Sequence, residues 1–193
     1  SQSTEAWFFH TPGLKIVYPS NPYDAKGLLL AAIEDPNPVL YFEHKALYRS
    51  ISAEIPDDYY TVPIGEAVLV EEGDDITIIA YGNAVWWAKE AVKKEAASAD
   101  IIDLRSLLPW DKETVLKSVL KTGRVLVINE DTITGSISAE IAAWISENAF
   151  ESLDAPVMRV GSLDTAVPFS KTLEDNFLPV KRIQEKLKEL QYY

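Results

Sequence analysis

The two histidines of this 193-residue chain sit in different company. His10 follows three aromatic residues in a row, Trp7, Phe8 and Phe9. A histidine titrates near neutral pH and can carry a proton, and an aromatic wall can desolvate it and set its tautomer. A histidine satisfied at a strand end accounts for the same residues without chemistry. His44 lies between Glu43 and Lys45, where a structural or surface role is expected. The second chemistry-bearing stretch is Ala32–Ile33–Glu34–Asp35–Pro36–Asn37. The last carbonyls of a helix lack an intrahelical partner and carry the negative end of its dipole. With the side-chain oxygens of Asp35 and Asn37, this turn offers hard ligands that suit an alkali or alkaline-earth cation. An ordinary helix stop, with Asp and Asn as turn formers, explains it too. The adjacent carboxylates Asp57–Asp58, Glu71–Glu72 and Asp74–Asp75 fall at turns and are read as solvated turn residues rather than acid–base pairs.

Other chemistries lack support. Cysteine is absent, which removes disulfides, thiolate catalysis and cysteine metal sites and suits a reducing cytoplasm. With only two histidines, a transition-metal cluster is not expected. No GxGxxG, GxxxxGK[ST] or GxSxG pattern occurs. The net charge of −12 argues against nucleic acid, because phosphate binding needs clustered Lys and Arg. It permits a basic protein partner, or serves solubility alone. The longest apolar run, Leu28 to Ile33, is too short to span a membrane. The start SQSTEAWFFH has no initiator Met, basic n-region or signal-type apolar core, so Ser1 is expected to be an internal point of a longer product.

The elements that must position these residues follow from periodicity and punctuation. Lys15 to Tyr18 predicts a strand. Ser20 is expected to cap a helix over Tyr23 to Glu34, with Pro22 and Asp24 in its first turn, ended by Asp35–Pro38. Val39 to Glu43 predicts the next strand, parallel to the first by a right-handed crossover. Two strands and one helix are not a stable domain, so this unit needs partner strands that the chain does not obviously supply. Residues 48–62 show no sustained period and read as linker or loop. Strands are then expected at Ala67–Glu71, Ile76–Tyr81, Asp100–Leu104, Arg124–Asn129 and Ala155–Val160. Helices are expected at Asn83–Ala97, Asp111–Lys121, Gly135–Asn148 and Val180–Leu190, the last with Lys and Arg on its outer face. Strands alternating with helices of this length mean an α/β layered domain with a mostly parallel sheet.

The stretch AWFFHTPGLKIVYPSNPYDAKGLLLAAIEDPNPVLYFEHKALYR resembles the end of the pyrimidine-type domain in β subunits of the thiamine-diphosphate-dependent decarboxylating component of 2-oxo acid dehydrogenase complexes. IIDLRSLLPWD, KTGRVLVINED, TGSISAEIAA, LDAPVMRVGSLDTAVPF and LEDNFLP resemble, in order, the transketolase C-terminal-type domain of the same subunit. IEDPNP, FEHKALYR and LLPWD lean towards branched-chain (2-oxoisovalerate) members over pyruvate members. The resemblance implies an α/β fold in two parts. Residues 1–55 would be the end of a pyrimidine-type domain. Residues 56–193 would be a three-layer transketolase C-terminal-type domain. It implies that His10 handles the 2-oxo acid and acyl transfer to a lipoyl arm. It implies a structural potassium at the carbonyls of Ala32 and Ile33 with Asp35 and Asn37. It implies thiamine diphosphate with magnesium in a full assembly, at a site outside this chain. The implied partners are an α subunit or segment, a second β subunit and the lipoyl acyltransferase core. The implied compartment is bacterial cytoplasm, or mitochondrial matrix for a eukaryotic protein. Asn129 stands where many members have His, and Ser136 where a second Gly is usual. The same domain in transketolase or deoxyxylulose-phosphate synthase, and a non-catalytic assembly module, are the competing readings.

Overall fold

The computed structural model describes residues 3–193, so the expectation about Ser1 lies outside the described residues. It contains two sheets. The smaller has the order β2–β1–β6, with β1 at Lys15–Val17, β2 at Val39–Tyr41 and β6 at Ser106–Leu108. The larger has the order β3–β5–β4–β7–β8, with β3 at Val68–Glu71, β4 at Ile76–Ala80, β5 at Ala99–Asp103, β7 at Val125–Thr132 and β8 at Met158–Ser162. Its pairs β4–β5, β4–β7 and β7–β8 are parallel, and only the edge strand β3 runs antiparallel.

Alternation along the inner strands builds the three layers. Ile76, Ile78 and Ala80 of β4, with Leu126 and Ile128 of β7, face one side. There they pack against α4 (Ala84–Glu95) and α8 (Val180–Gln191). Ile79, Ile102, Val125 and Val127 face the other side, against α5 (Lys112–Thr122) and α6 (Ile137–Asn148). Successive side chains of a strand point to opposite faces, so continuous apolar runs cover both sides of a buried parallel sheet. Helix α8 buries Ile183, Leu187 and Leu190 and leaves its lysines outward. Helix α5 starts where Asp111 accepts from Thr114 N at 2.9 Å and stops at Gly123, whose φ of 66° suits glycine.

The first sheet corrects two expectations. The chain does supply a partner strand: β6 pairs antiparallel with β1 through Ile16–Leu108 and Val17–Ser106. The three-residue strand was hidden because its run, Ser106–Leu108, is interrupted by Pro109. The helix α2 (Pro22–Glu34) is capped by Asn21, whose side chain accepts from Asp24 N at 2.9 Å. Ser20 is spent elsewhere, donating to Asp103. Three short helices were also not anticipated: α1 (Glu5–Phe9), α3 (Leu47–Ser50) and α7 (Lys171–Phe177).

Residues 56–62 are strapped back onto α2. Lys26 donates to the carbonyls of Pro56, Asp57 and Asp58, and the rings of Tyr23 and Tyr60 stack at 4.5 Å. Val62 N donates to the Gly27 carbonyl at 3.1 Å, and Val62 packs with Val17 and Leu28. Glycine lets the strap approach this closely: a Cβ on Gly27 would fall 2.5 Å from Val62 Cγ2 and 3.0 Å from Val62 N. Overpacking costs ~1–3 kcal/mol, against the ~1 kcal/mol that alanine gains in a helix. Gly27→Ala is therefore expected to lower the melting temperature by a few degrees in a thermal scan, and an unchanged or raised value would show that the strap is not seated on α2.

Candidate functional site

The chain enters the described structure at α1, a helix of five residues. Its one fully buried residue is Glu5. The carboxyl accepts from Tyr81 Oη at 2.7 Å and from Ser3 Oγ at 2.8 and 2.9 Å. Burial pushes its pKa above the ordinary carboxylate value, against the hydrogen bond from Tyr81. A tier of rings continues from the helix into the larger unit. Phe8 lies 6.3 Å from Phe42, Phe42 5.8 Å from Tyr18, and Tyr18 5.6 Å from Tyr81.

His10 follows α1 as its C-cap and is exposed. Among the described residues its imidazole has no hydrogen-bond partner. It lines an open groove of about 700 Å³ with Phe9, Lys15, Asn37, Leu108, Pro109 and Glu140. The groove thus borders both stretches that the sequence singled out. At the turn, Asp35 closes α2 as C-cap. One carboxylate oxygen accepts from Asn37 N at 2.9 Å and from Asn37 Nδ2 at 3.0 Å, while the other is bound by Lys15. The Lys15 ammonium, with the Asn37 donors, holds the Asp35 carboxyl below its usual range. Asp35 N takes the Ala31 carbonyl. Pro36 has no N–H to offer Ala32, and Asn37 N is spent on Asp35, so the carbonyls of Ala32 and Ile33 keep their lone pairs.

His44, expected to be structural, is half-buried against the end of β7. Its Nε2 lies 2.8 Å from Glu130 Oε2, an oxygen that accepts no hydrogen bond. Its Nδ1 and the Asn129 Oδ1 are buried without partners. Glu5, Tyr81 and Glu130 were not singled out from the sequence. The one available signal was polarity: Tyr81 and Asn129–Glu130–Asp131 end the apolar runs of β4 and β7, at their carboxyl ends.

Residues 65–182 match the family profile described as "Transketolase, C-terminal domain", and residues 1–50 match "Transketolase, pyrimidine binding domain". The chain belongs to the transketolase C-terminal domain family. It is 51% identical over 182 residues to the 2-oxoisovalerate dehydrogenase subunit beta of Bacillus subtilis, covering 92% of this chain and 56% of that protein. It is 47% identical to the acetoin:2,6-dichlorophenolindophenol oxidoreductase subunit beta of the same organism, covering 93% of this chain and 53% of that one. The chain spans about half the length of these relatives. A split-gene transketolase in an inactive beta4 tetramer superposes with a TM-score of 0.77 at 25% identity, covering 96% of this chain and 59% of that one. The α/β fold expected from the sequence, with its transketolase C-terminal-type layers, is the observed one. Among the described residues, no helix is long and apolar enough to cross a membrane.

In this transketolase-type chain the two matched parts meet at a buried polar junction behind the groove. Asp103, fully buried at the end of β5, accepts from Ser20 Oγ and, at 3.0 Å, from Arg105 N. Arg105, at a φ of 56°, reaches back to Asp24 Oδ1 at 3.1 Å and to the carbonyls of Glu66 and Ala67. Burial, with the Asp24 charge adding to it, pushes the Asp103 carboxyl up to about 7 despite its two donors. The folded state therefore holds this proton more tightly than the unfolded chain, whose carboxyl titrates near 4. The stabilisation is complete below pH ~4 and is lost as the pH rises through about 7. Asp103→Asn keeps an acceptor for Ser20 and cannot ionise. Its stability in urea is expected to gain on the wild type as the pH goes from 5 to 8, and a pH-independent difference would refute the buried neutral carboxyl.

Proposed function

We propose that this chain is the C-terminal part of the β subunit of a thiamine-diphosphate-dependent decarboxylating component of a 2-oxo acid dehydrogenase complex, of branched-chain type. The observation that carries the reading is His10: an unpaired imidazole at the rim of an open groove, on a chain half of whose residues match the 2-oxoisovalerate subunit. In this reading the groove is one wall of the active-site mouth. His10 exchanges a proton with the 2-oxo acid or its acyl product, and Phe9, Leu108 and Pro109 keep that side of the mouth apolar.

Thiamine diphosphate supplies the electron sink for decarboxylation when bound. Among the described residues up to 50, no buried carboxylate is left free for it. The buried carboxylates of residues 3–50, Glu5 and Asp24, are spent on Tyr81 and Ser3 and on Arg105 and Asn21. The cofactor and its magnesium would be held by residues outside this chain. Trp7 of α1 and Ile33 of α2 are more than 70% exposed, and Leu29, one turn before Ile33, is exposed too. That surface suits cover by an α subunit or segment and by a second β subunit. The charge of −12 suits docking to a basic module of the lipoyl acyltransferase core. A bacterial cytoplasm remains part of the reading.

The decisive experiment uses the full-length subunit assembled with its α part, assayed with an artificial electron acceptor on 3-methyl-2-oxobutanoate, pyruvate, 2-oxoglutarate and acetoin. The branched oxo acid is expected to be preferred. Pyruvate or acetoin in its place would keep the family and overturn the branched-chain lean. His10→Ala in the same enzyme is expected to cut acyl transfer to a lipoyl domain by ~10²-fold or more without loss of assembly. Unchanged flux would favour a purely structural module. The isolated chain is expected to decarboxylate nothing, and turnover by it would overturn the reading.

Potassium belongs to the same proposal in a narrower form. The Asp35 carboxylate is already neutralised by Lys15, so a cation at this turn would rest on the carbonyls of Ala32 and Ile33 and on the Asn37 side-chain oxygen. Exchanging choline for potassium at constant ionic strength is expected to raise the melting temperature of the assembled enzyme, less so for Asn37→Ala. Equal melting in the two salts would remove the site.

A further inference from the structure

The larger sheet has a crevice that the proposed chemistry leaves unused. Its parallel strands run in the order β5–β4–β7–β8, so successive connections leave in opposite directions at the boundary between β4 and β7. In open parallel sheets the carboxyl ends of the strands at such a boundary form a ligand-binding crevice. Here those ends carry Tyr81, just after β4, and Glu130 and Asp131 of β7. The crevice is filled from within the chain: the carboxyl of Glu5 occupies it, hydrogen-bonded to Tyr81 and close enough to Asp131 for that charge to help raise its pKa.

A buried carboxyl is a poor source of stability and a good source of position. Burial costs it the solvation of its charged form, and the hydrogen bonds that compensate have one geometry. Helix α1 needs such a fix. Its five residues cannot hold a helix alone, and its N-cap, Thr4, makes no side-chain cap bond. Glu5 is its only fully buried residue, and Phe9 is a partly buried second contact. His10 follows directly, its N–H bonded to the Phe8 carbonyl. The placement of the imidazole is thus inherited from a helix pinned at its first residue by a tyrosine of the other domain.

We propose that Glu5 and Tyr81 are positioning residues for His10, so that the transketolase C-terminal domain sets the geometry of the active-site mouth as well as making subunit contacts. The inference rests on His10 acting there, as argued above. A displacement of about 1 Å can cost a reaction ~10²-fold, so loosening α1 registers in rate. Gln in place of Glu5 keeps an acceptor for Tyr81 and an amide that Ser3 can receive, whereas Ala keeps neither. Phe in place of Tyr81 keeps the ring packing and removes the donor.

The test uses the full-length subunit assembled with its α part, and follows kcat and KM for transfer of the acyl group to a free lipoyl domain. Glu5→Ala and Tyr81→Phe are expected to lower kcat about tenfold or more at unchanged cofactor content, with Glu5→Gln within about twofold of wild type. Combined with His10→Ala, Glu5→Ala is expected to add no further loss, because both act through one group. Should Glu5→Ala fail to assemble, Tyr81→Phe, which removes one oxygen atom, carries the test. A loss in His10→Ala with wild-type kcat in Tyr81→Phe and Glu5→Ala would overturn the positioning role alone. Multiplying losses in the double variant would overturn it too. Wild-type flux in His10→Ala would overturn the function assigned to His10 and the positioning role with it.

Discussion

The pairing of β1 with β6 is the constraint on which the rest of the molecule depends. Strand β1 is three residues long, and with β2 alone it would make a parallel pair too small to persist in water. The chain that has just left β5 at Asp103 turns through Arg105 in the left-handed region and lays Ser106–Leu108 antiparallel along β1. That one ladder joins the first matched part of the chain to the second. It places Ile16 and Tyr18 in the same apolar cluster as Leu104, Leu107 and Trp110. It brings Leu108 and Pro109 to the floor of the groove beside His10, and it sets Asp103 against Ser20. Shift β6 by one residue and its side chains would exchange faces, taking Leu107 out of the core.

Why a splice of this kind carries buried charge follows from its geometry. A connection that turns sharply behind a sheet leaves backbone N–H groups with no ladder to join, and the Arg105 N–H is one of them. The Asp103 carboxyl accepts it, and the Ser20 hydroxyl fills the other oxygen. The guanidinium of Arg105 then answers the carbonyls of Glu66 and Ala67 and the charge of Asp24. Hydrophobic replacements could fill the same volume, but they would leave these backbone groups unpaired, at a cost of ~1–3 kcal/mol each. The network fixes how the two parts sit on each other.

The second unit was legible in the sequence because its signals are long and redundant. Ile76–Ala80 and Val125–Ile128 are apolar on both faces, as a parallel strand between helix layers must be. Helices α4, α5 and α6 carry caps or apolar periods over eleven or twelve residues, and each fell within a residue or two of its expected bounds. In the first unit α2 and the parallel pair β1–β2 were legible, the strands as β-rich runs on either side of a punctuated helix. Strand β6 and helices α1, α3 and α7 have three to seven residues, fewer than a period needs to declare itself, and contacts far away in sequence decide them. At the site, His10 and the turn at Asp35 were found by residue type and family likeness. The commitment of Asp35 to Lys15 was invisible, since a pair 20 residues apart depends on how β1 and α2 pack. Ser20 looked like a cap because Asn21, one position on, offers the same chemistry.

Glu5 shows where residue type misleads most. It stands in a run of Ser, Thr and aromatic residues that gave no reason to single it out. In the structure it is fully buried and Trp7, two residues on, is 78% exposed, the reverse of what hydropathy assigns. Both inversions have the same cause. A helix of five residues has room for one buried face, and the polar end of β4 and β7 is what that face meets, so a hydrogen-bonding side chain goes inward. The indole is left on the outer side, uncovered among the described residues. The carboxyl inside and the indole outside are one choice, made by the polar ends of β4 and β7 on which the helix packs.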